Sequence, residues 1–181
     1  MAEPHRRLIE KIIEPSYLGD FEAADIHVLR EMRAECREAE NELSFERKMC
    51  HARMDILSAE LDRRSESVDD DLMARLPEIL GAGRRSGVEQ GPLPSRAPDF
   101  SIPRNVDVPR RRVEEILGEQ TLSRLPQLQP EEIRSIIGSL AEHERKVSER
   151  RKKVHDVQDR LQAEIVRRYT SGEADPSAAL G

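Results

Sequence analysis

The sequence predicts an all-α protein, a long antiparallel two-helix coiled-coil hairpin with a long irregular connection containing short helices. Residues 21–64 contain neither Pro nor Gly, and a second long helical pattern opens at Pro130. Both patterns carry an apolar seam at seven-residue intervals, the spacing that faces a partner helix: Leu29, Cys36, Leu43, Cys50 and Leu57 in the first, Ile133, Leu140, Val147, Val154 and Leu161 in the second. With 36% charged residues, 3% aromatics and no Trp in 181 residues, the chain has little with which to fill a globular core and favours long exposed helices.

Residues 1–20 read as an N-terminal arm, in which Leu8, Ile9, Ile12 and Ile13 form a short amphipathic docking helix closed by Pro15 and the Gly19-Asp20 turn. Residues 21–66 form the first long helix. Asp20 or Asp25 offers its N-cap, because a carboxylate there accepts from the unpaired N–H groups of the first turn. Residues 67–129 hold most of the Pro and Gly; within them 71–80 and 111–117 fit short helices, and 81–109 reads as flexible linker. Residues 130–170 form the second long helix. Pro130 suits a first position that needs no N–H, and Glu131 and Glu132 complement the helix dipole there. Gly172 supplies the stop, and 171–181 reads as a disordered tail.

One antiparallel register satisfies both seams. It pairs Leu57 with Leu140, Cys50 with Val147, Leu43 with Val154, Cys36 with Leu161, Met32 with Ile165 and Leu61 with Ile136, so that every layer is apolar. Cys36 and Cys50 share that helical face, which makes them small buried hydrophobes and reduced thiols rather than a disulfide or a metal pair.

The two long helices also share a polar pattern. Glu40, Ser44, Arg47, His51 and Asp55 recur with identical spacing as Glu144, Ser148, Arg151, His155 and Asp159, and at about 100° per residue each set falls in an arc of about 80°. Each set is a stripe on one helix face. A single Glu-Ser-Arg-His-Asp stripe is ordinarily a solvated face laced with local ion pairs. Duplication in matching register changes that reading, because an antiparallel pair of equivalent helices has a pseudo-twofold axis that turns both stripes the same way. Such a surface suits a ligand that is itself twofold symmetric.

The stripes resemble the signature of the RsiG-type anti-sigma factors, which bind cyclic di-GMP through E-x3-S-x2-R-x3-Q-x3-D, once on each of two long antiparallel helices. His51 and His155 stand where that pattern has Gln. The resemblance implies a non-enzymatic regulator that sequesters a sigma factor of the WhiG type, which directs late developmental (sporulation) genes, when loaded with cyclic di-GMP; the lack of an apolar run long enough to cross a bilayer makes the cytoplasm its expected compartment. It makes Arg47 and Arg151 the main guanine or phosphate contacts and places Asp55 and Asp159 at guanine edges; Glu40, Glu144, Ser44 and Ser148 complete the net. The chemistry agrees, since Arg presents a fork to guanine O6 and N7 or to phosphate, and a carboxylate accepts from guanine N1 and N2. The scarcity of aromatics leaves stacking to Arg planes or to a second nucleotide, so more than one dinucleotide is expected. Lys48, Arg53, Arg145, Arg150 and Lys152 add positive field nearby.

Other classes fit less well. A net charge of -6 disfavours nonspecific binding to DNA or an anionic membrane, and no apolar run is long enough to span a bilayer. No Gly-rich phosphate loop, nucleophile elbow or Cys cluster appears, so no enzyme is expected. His51 with Asp55 and His155 with Asp159 have metal-ligand spacing, but the surrounding Arg disfavours a cation, and no metal is expected. The first long helix has a second apolar stripe, Phe45, Met49, Ala52, Ile56 and Ala59. Either the connection folds back over it, through 72–80 or 113–125, or it docks a partner helix. The alternative function is accordingly a coiled-coil adaptor or dimerisation protein that binds a partner without nucleotide.

Overall fold

The computed structural model describes residues 3–65, 77, 102–104 and 106–174, and every regular element among them is helical. Helix α1 spans Glu3–Ile13 and is followed by a 3-10 turn at Pro15–Tyr17. Helix α2 spans Ile26–Ser65, α3 Asp107–Ile116 and α4 Glu119–Ser123. A second 3-10 turn, Leu125–Gln127, leads into α5, Pro130–Ser171. The expected helix at 71–80 apart from residue 77, most of the expected linker at 81–109 and the end of the expected tail lie outside the described residues. The chain divides into two compact units, one of residues 1–44 and 148–181, the other of 45–147. Each long helix contributes one part to each unit.

In the first unit, Ile9 and Ile12 of α1 are buried with Leu18, Phe21, Leu29, Cys36, Ala39, Leu43, Val154, Leu161 and Ile165. The amphipathic arm therefore docks on its own chain. Lys11 Nζ lies 3.0 Å from Glu35 Oε2, and the Tyr17 hydroxyl donates to the same carboxylate at 2.8 Å. Burial, aided by that bond, pushes the Tyr17 hydroxyl well above its ordinary range.

Helix α2 begins at Ile26 rather than near residue 21. Asp25 is the cap, its Oδ1 accepting from the His27 N–H at 2.8 Å. The preceding segment is a turn because its carbonyls have another donor. Arg168, from the last turn of α5, donates to Ala24 O at 2.5 Å and to Glu22 O at 2.8 Å. Glu164 Oε1 holds the Arg168 Nε at 2.7 Å, and the Arg167 and Arg168 guanidiniums bring the Glu164 carboxyl down to about 2. Gly172, at φ +79, adopts the left-handed conformation that terminates α5 as expected.

In the second unit the core is Cys50, Leu57, Val113, Leu117, Leu125, Ile133 and Leu140. Helix α3 starts at Asp107, ahead of the expected 111, so 107–110 is helix where linker was expected. Pro109 is compatible because it sits in the first turn, where a missing N–H breaks no helical bond. Arg53 donates to the carbonyls of Val113 and Leu117 at the C-terminal end of α3. Arg64 donates to Leu125 O at 2.7 Å and Leu128 O at 2.6 Å, and its Nε is held by Glu60 at 2.7 Å.

The interval that separates the two polar stripes separates these caps as well. Glu60, Arg63 and Arg64 correspond to Glu164, Arg167 and Arg168. In both, a largely buried Glu grips an Arg that reaches the carbonyls of the segment entering a long helix. All ten seam residues are buried, none above 3% exposed. Cys36 and Cys50 are buried free cysteines whose thiols burial pushes up to about 11, so they pack as hydrophobes.

Candidate ligand-binding site

The duplicated stripes are interleaved in the structure. In the first unit, Glu40 Oε1 accepts from the Ser44 hydroxyl at 2.7 Å and from Arg151 Nε at 2.9 Å, and His155 Nε2 lies 3.2 Å away. Arg151 Nε also donates to the Ser44 hydroxyl at 2.8 Å. In the second unit, Glu144 Oε1 accepts from Arg47 Nε at 2.7 Å and lies 3.3 Å from His51 Nε2. The glutamate of either stripe thus meets the arginine and histidine of the other, and the same Glu-Arg-His cluster is built once in each unit.

Helical spacing explains this crossing. Arg and His lie one turn apart on one helix, so a single carboxylate on the facing helix reaches both. Ser148 is half-buried on α5 a turn from Glu144, Asp55 is half-buried a turn beyond His51, and Asp159 is exposed a turn beyond His155. The arginine side chains are 38% exposed at Arg47 and 30% at Arg151. They can therefore be reached by a ligand from solvent. Burial acts to raise the Glu40 carboxyl, but the bonds from Ser44, Arg151 and His155 outweigh it and leave Glu40 below the ordinary carboxylate range. Glu40 is thus held as an anion that accepts hydrogen bonds.

Residues 15–80 and 119–180 match the model of a protein family described as RsiG-like. The chain belongs to the RsiG-like family. Membership points to anti-sigma-factor function and to a sigma factor as protein partner. No curated protein matches the chain. Among the described residues, no helix is long and apolar enough to cross a membrane.

The remaining predicted residues distribute differently. Of the second apolar stripe, Met49 and Ile56 pack against the core that holds Val113, Leu117 and Leu125, while Phe45 and Ala52 are half-buried. That stripe is in part an internal surface of the second unit. Arg53, expected to add field for phosphates, is directed at the α3 carbonyls instead. One polar cluster had no signal in the sequence: Glu46, 1% exposed, meets Arg112 Nη1 at 2.9 Å and His143 Nε2 at 2.7 Å. Neither Glu46 nor His143 belongs to the repeat, and Arg112 comes from the connection, so only the folded chain brings them together.

Proposed function

We propose that this RsiG-like protein is a cyclic-di-GMP-dependent anti-sigma factor that acts in the cytoplasm, without catalysis, by sequestering a sigma factor of the WhiG type. The observation that carries this reading is the duplicated Glu-Arg-His cluster, present once in each unit with equivalent residues in equivalent contacts. Each cluster by itself suits a guanylate, the unit of which cyclic di-GMP contains two. In each, the Arg donates a fork to guanine O6 and N7 or to a phosphate, and Glu or Asp accepts from guanine N1 and N2. His51 and His155 supply the ring nitrogen that takes the place of a Gln amide, able to donate or accept according to tautomer.

The antiparallel hairpin forms part of this proposal. Within the first unit Arg30 meets Tyr169, Arg33 meets Gln162 and Glu40 meets Arg151. Within the second, Arg47 meets Glu144 and Arg64 reaches Leu128. In the first unit rising numbers on α2 meet falling numbers on α5; in the second they meet falling numbers on α5 and on the segment that enters it.

A ligand guanine or phosphate competes with Glu40 and Glu144 for the two arginines, so loading exchanges an internal ion pair for a ligand contact. Ligand and sigma factor then stabilise each other to the extent that the bound surface is shared, because such coupling is reciprocal. Calorimetric titration of cyclic di-GMP into the purified chain, alone and with a WhiG-type sigma factor, tests the proposal. We expect saturable binding that Arg47→Ala or Arg151→Ala abolishes. Absence of heat in both formats rejects the nucleotide role, and sigma capture indifferent to cyclic di-GMP identifies an adaptor instead.

A further inference from the structure

The charge balance of the twin clusters is incomplete. The ten stripe residues include four carboxylates, Glu40, Asp55, Glu144 and Asp159, against two guanidiniums, Arg47 and Arg151. Each stripe therefore has one carboxylate more than it has guanidiniums. A phosphodiester brings a further negative charge, and like charges at close range disfavour binding. A site that accepts a guanylate through these residues therefore needs a cation the five-residue stripe does not contain, and that need arises twice.

One cation recurs at the required interval. Lys48 follows Arg47 as Lys152 follows Arg151, and both lysines are exposed. At 100° per residue each lies about 60° from the centre of its stripe, on the edge away from the apolar seam. The other nearby cations do not repeat. Arg145 corresponds to Asn41, Arg150 to the buried Glu46 and Lys153 to Met49, while Arg53 faces the α3 carbonyls. The chemistry also divides sensibly: the planar Arg fork suits the guanine edge, and the compact ammonium on a flexible stem suits a phosphate as a point charge.

Building on the proposed cyclic-di-GMP function, we infer that Lys48 and Lys152 are the phosphate-binding residues of the two clusters, extending each stripe to six residues and neutralising its excess carboxylate. The test is calorimetric titration of cyclic di-GMP into the full chain at low salt and at 1 M salt, for the unmodified protein and for K48Q, K152Q and the control K153Q. At low salt each of K48Q and K152Q should lose roughly five- to tenfold in affinity, the scale of one partly screened charge contact. At 1 M salt, where screening acts over about 3 Å, both should approach the unmodified protein. K153Q removes the same charge from another face of α5 and should bind as the unmodified protein does at both salts. If the unmodified protein binds but K48Q and K152Q match it at low salt, or K153Q loses as much as they do, the lysine assignment is wrong while the nucleotide role stands. No binding by the unmodified protein overturns both.

Discussion

The two units of this protein contain the same polar parts and differ in what covers α2. Each holds one Glu-Arg-His cluster and one Glu-Arg cap over the carbonyls entering a long helix. In the first unit the second face of α2 meets the N-terminal arm, through Lys11 and Tyr17 on Glu35. In the second it meets α3, through Arg112 on the buried Glu46 and Arg53 on the α3 carbonyls. The repeated interval thus separates two kinds of residue. Those that recur fill the apolar seam and build the candidate ligand clusters, whereas those that do not recur attach a cover particular to each unit.

This equivalence can be broken most forcefully at the seam. Leu57 and Leu161 occupy corresponding positions and both are fully buried, so each truncation to Ala should cost about 2–5 kcal/mol in denaturant unfolding. A large loss at one and almost none at the other means that the units do not depend on the seam alike. The caps give a smaller effect. Arg64→Ala and Arg168→Ala each strip carbonyls of their donor and should cost about 1–3 kcal/mol, with similar values supporting matched roles.

The smallest effect concerns acid stability. Glu40 has its carboxyl held below the ordinary range despite burial, by Ser44, Arg151 and His155. Its stabilising contribution is complete above the unfolded carboxylate value of about 4.3 and is lost as pH falls through the lower folded value. Stability measured from pH 6 down to 2 should fall less steeply in Glu40→Gln than in the unmodified protein; identical slopes mean that Glu40 gains nothing from its partners.

Much of this arrangement was legible because its signals are local. The seam, the cap residue Asp25, Pro130 and the Gly172 stop each act within a turn or two, and the stripe repeat needs only one chain compared with itself. The five-residue start of α2 misread as helix illustrates the opposite case. Residues 21–25 look helical until Arg168 takes their carbonyls, a contact spanning most of the chain. The pairing of Glu46 with His143 and Arg112 is hidden for the same reason. The early start of α3 is hidden in the sequence because Pro109 reads as a breaker unless the first turn is known to include it.

The most direct test of equal, paired clusters is NMR of the arginine Nε–H signals of Arg47 and Arg151 during titration with cyclic di-GMP. Both Nε atoms now donate to glutamates, so ligand entry must perturb them. The account predicts that the two signals shift together and saturate at the same ligand ratio. A shift at one arginine alone, or at neither when the ligand is in large excess, contradicts it.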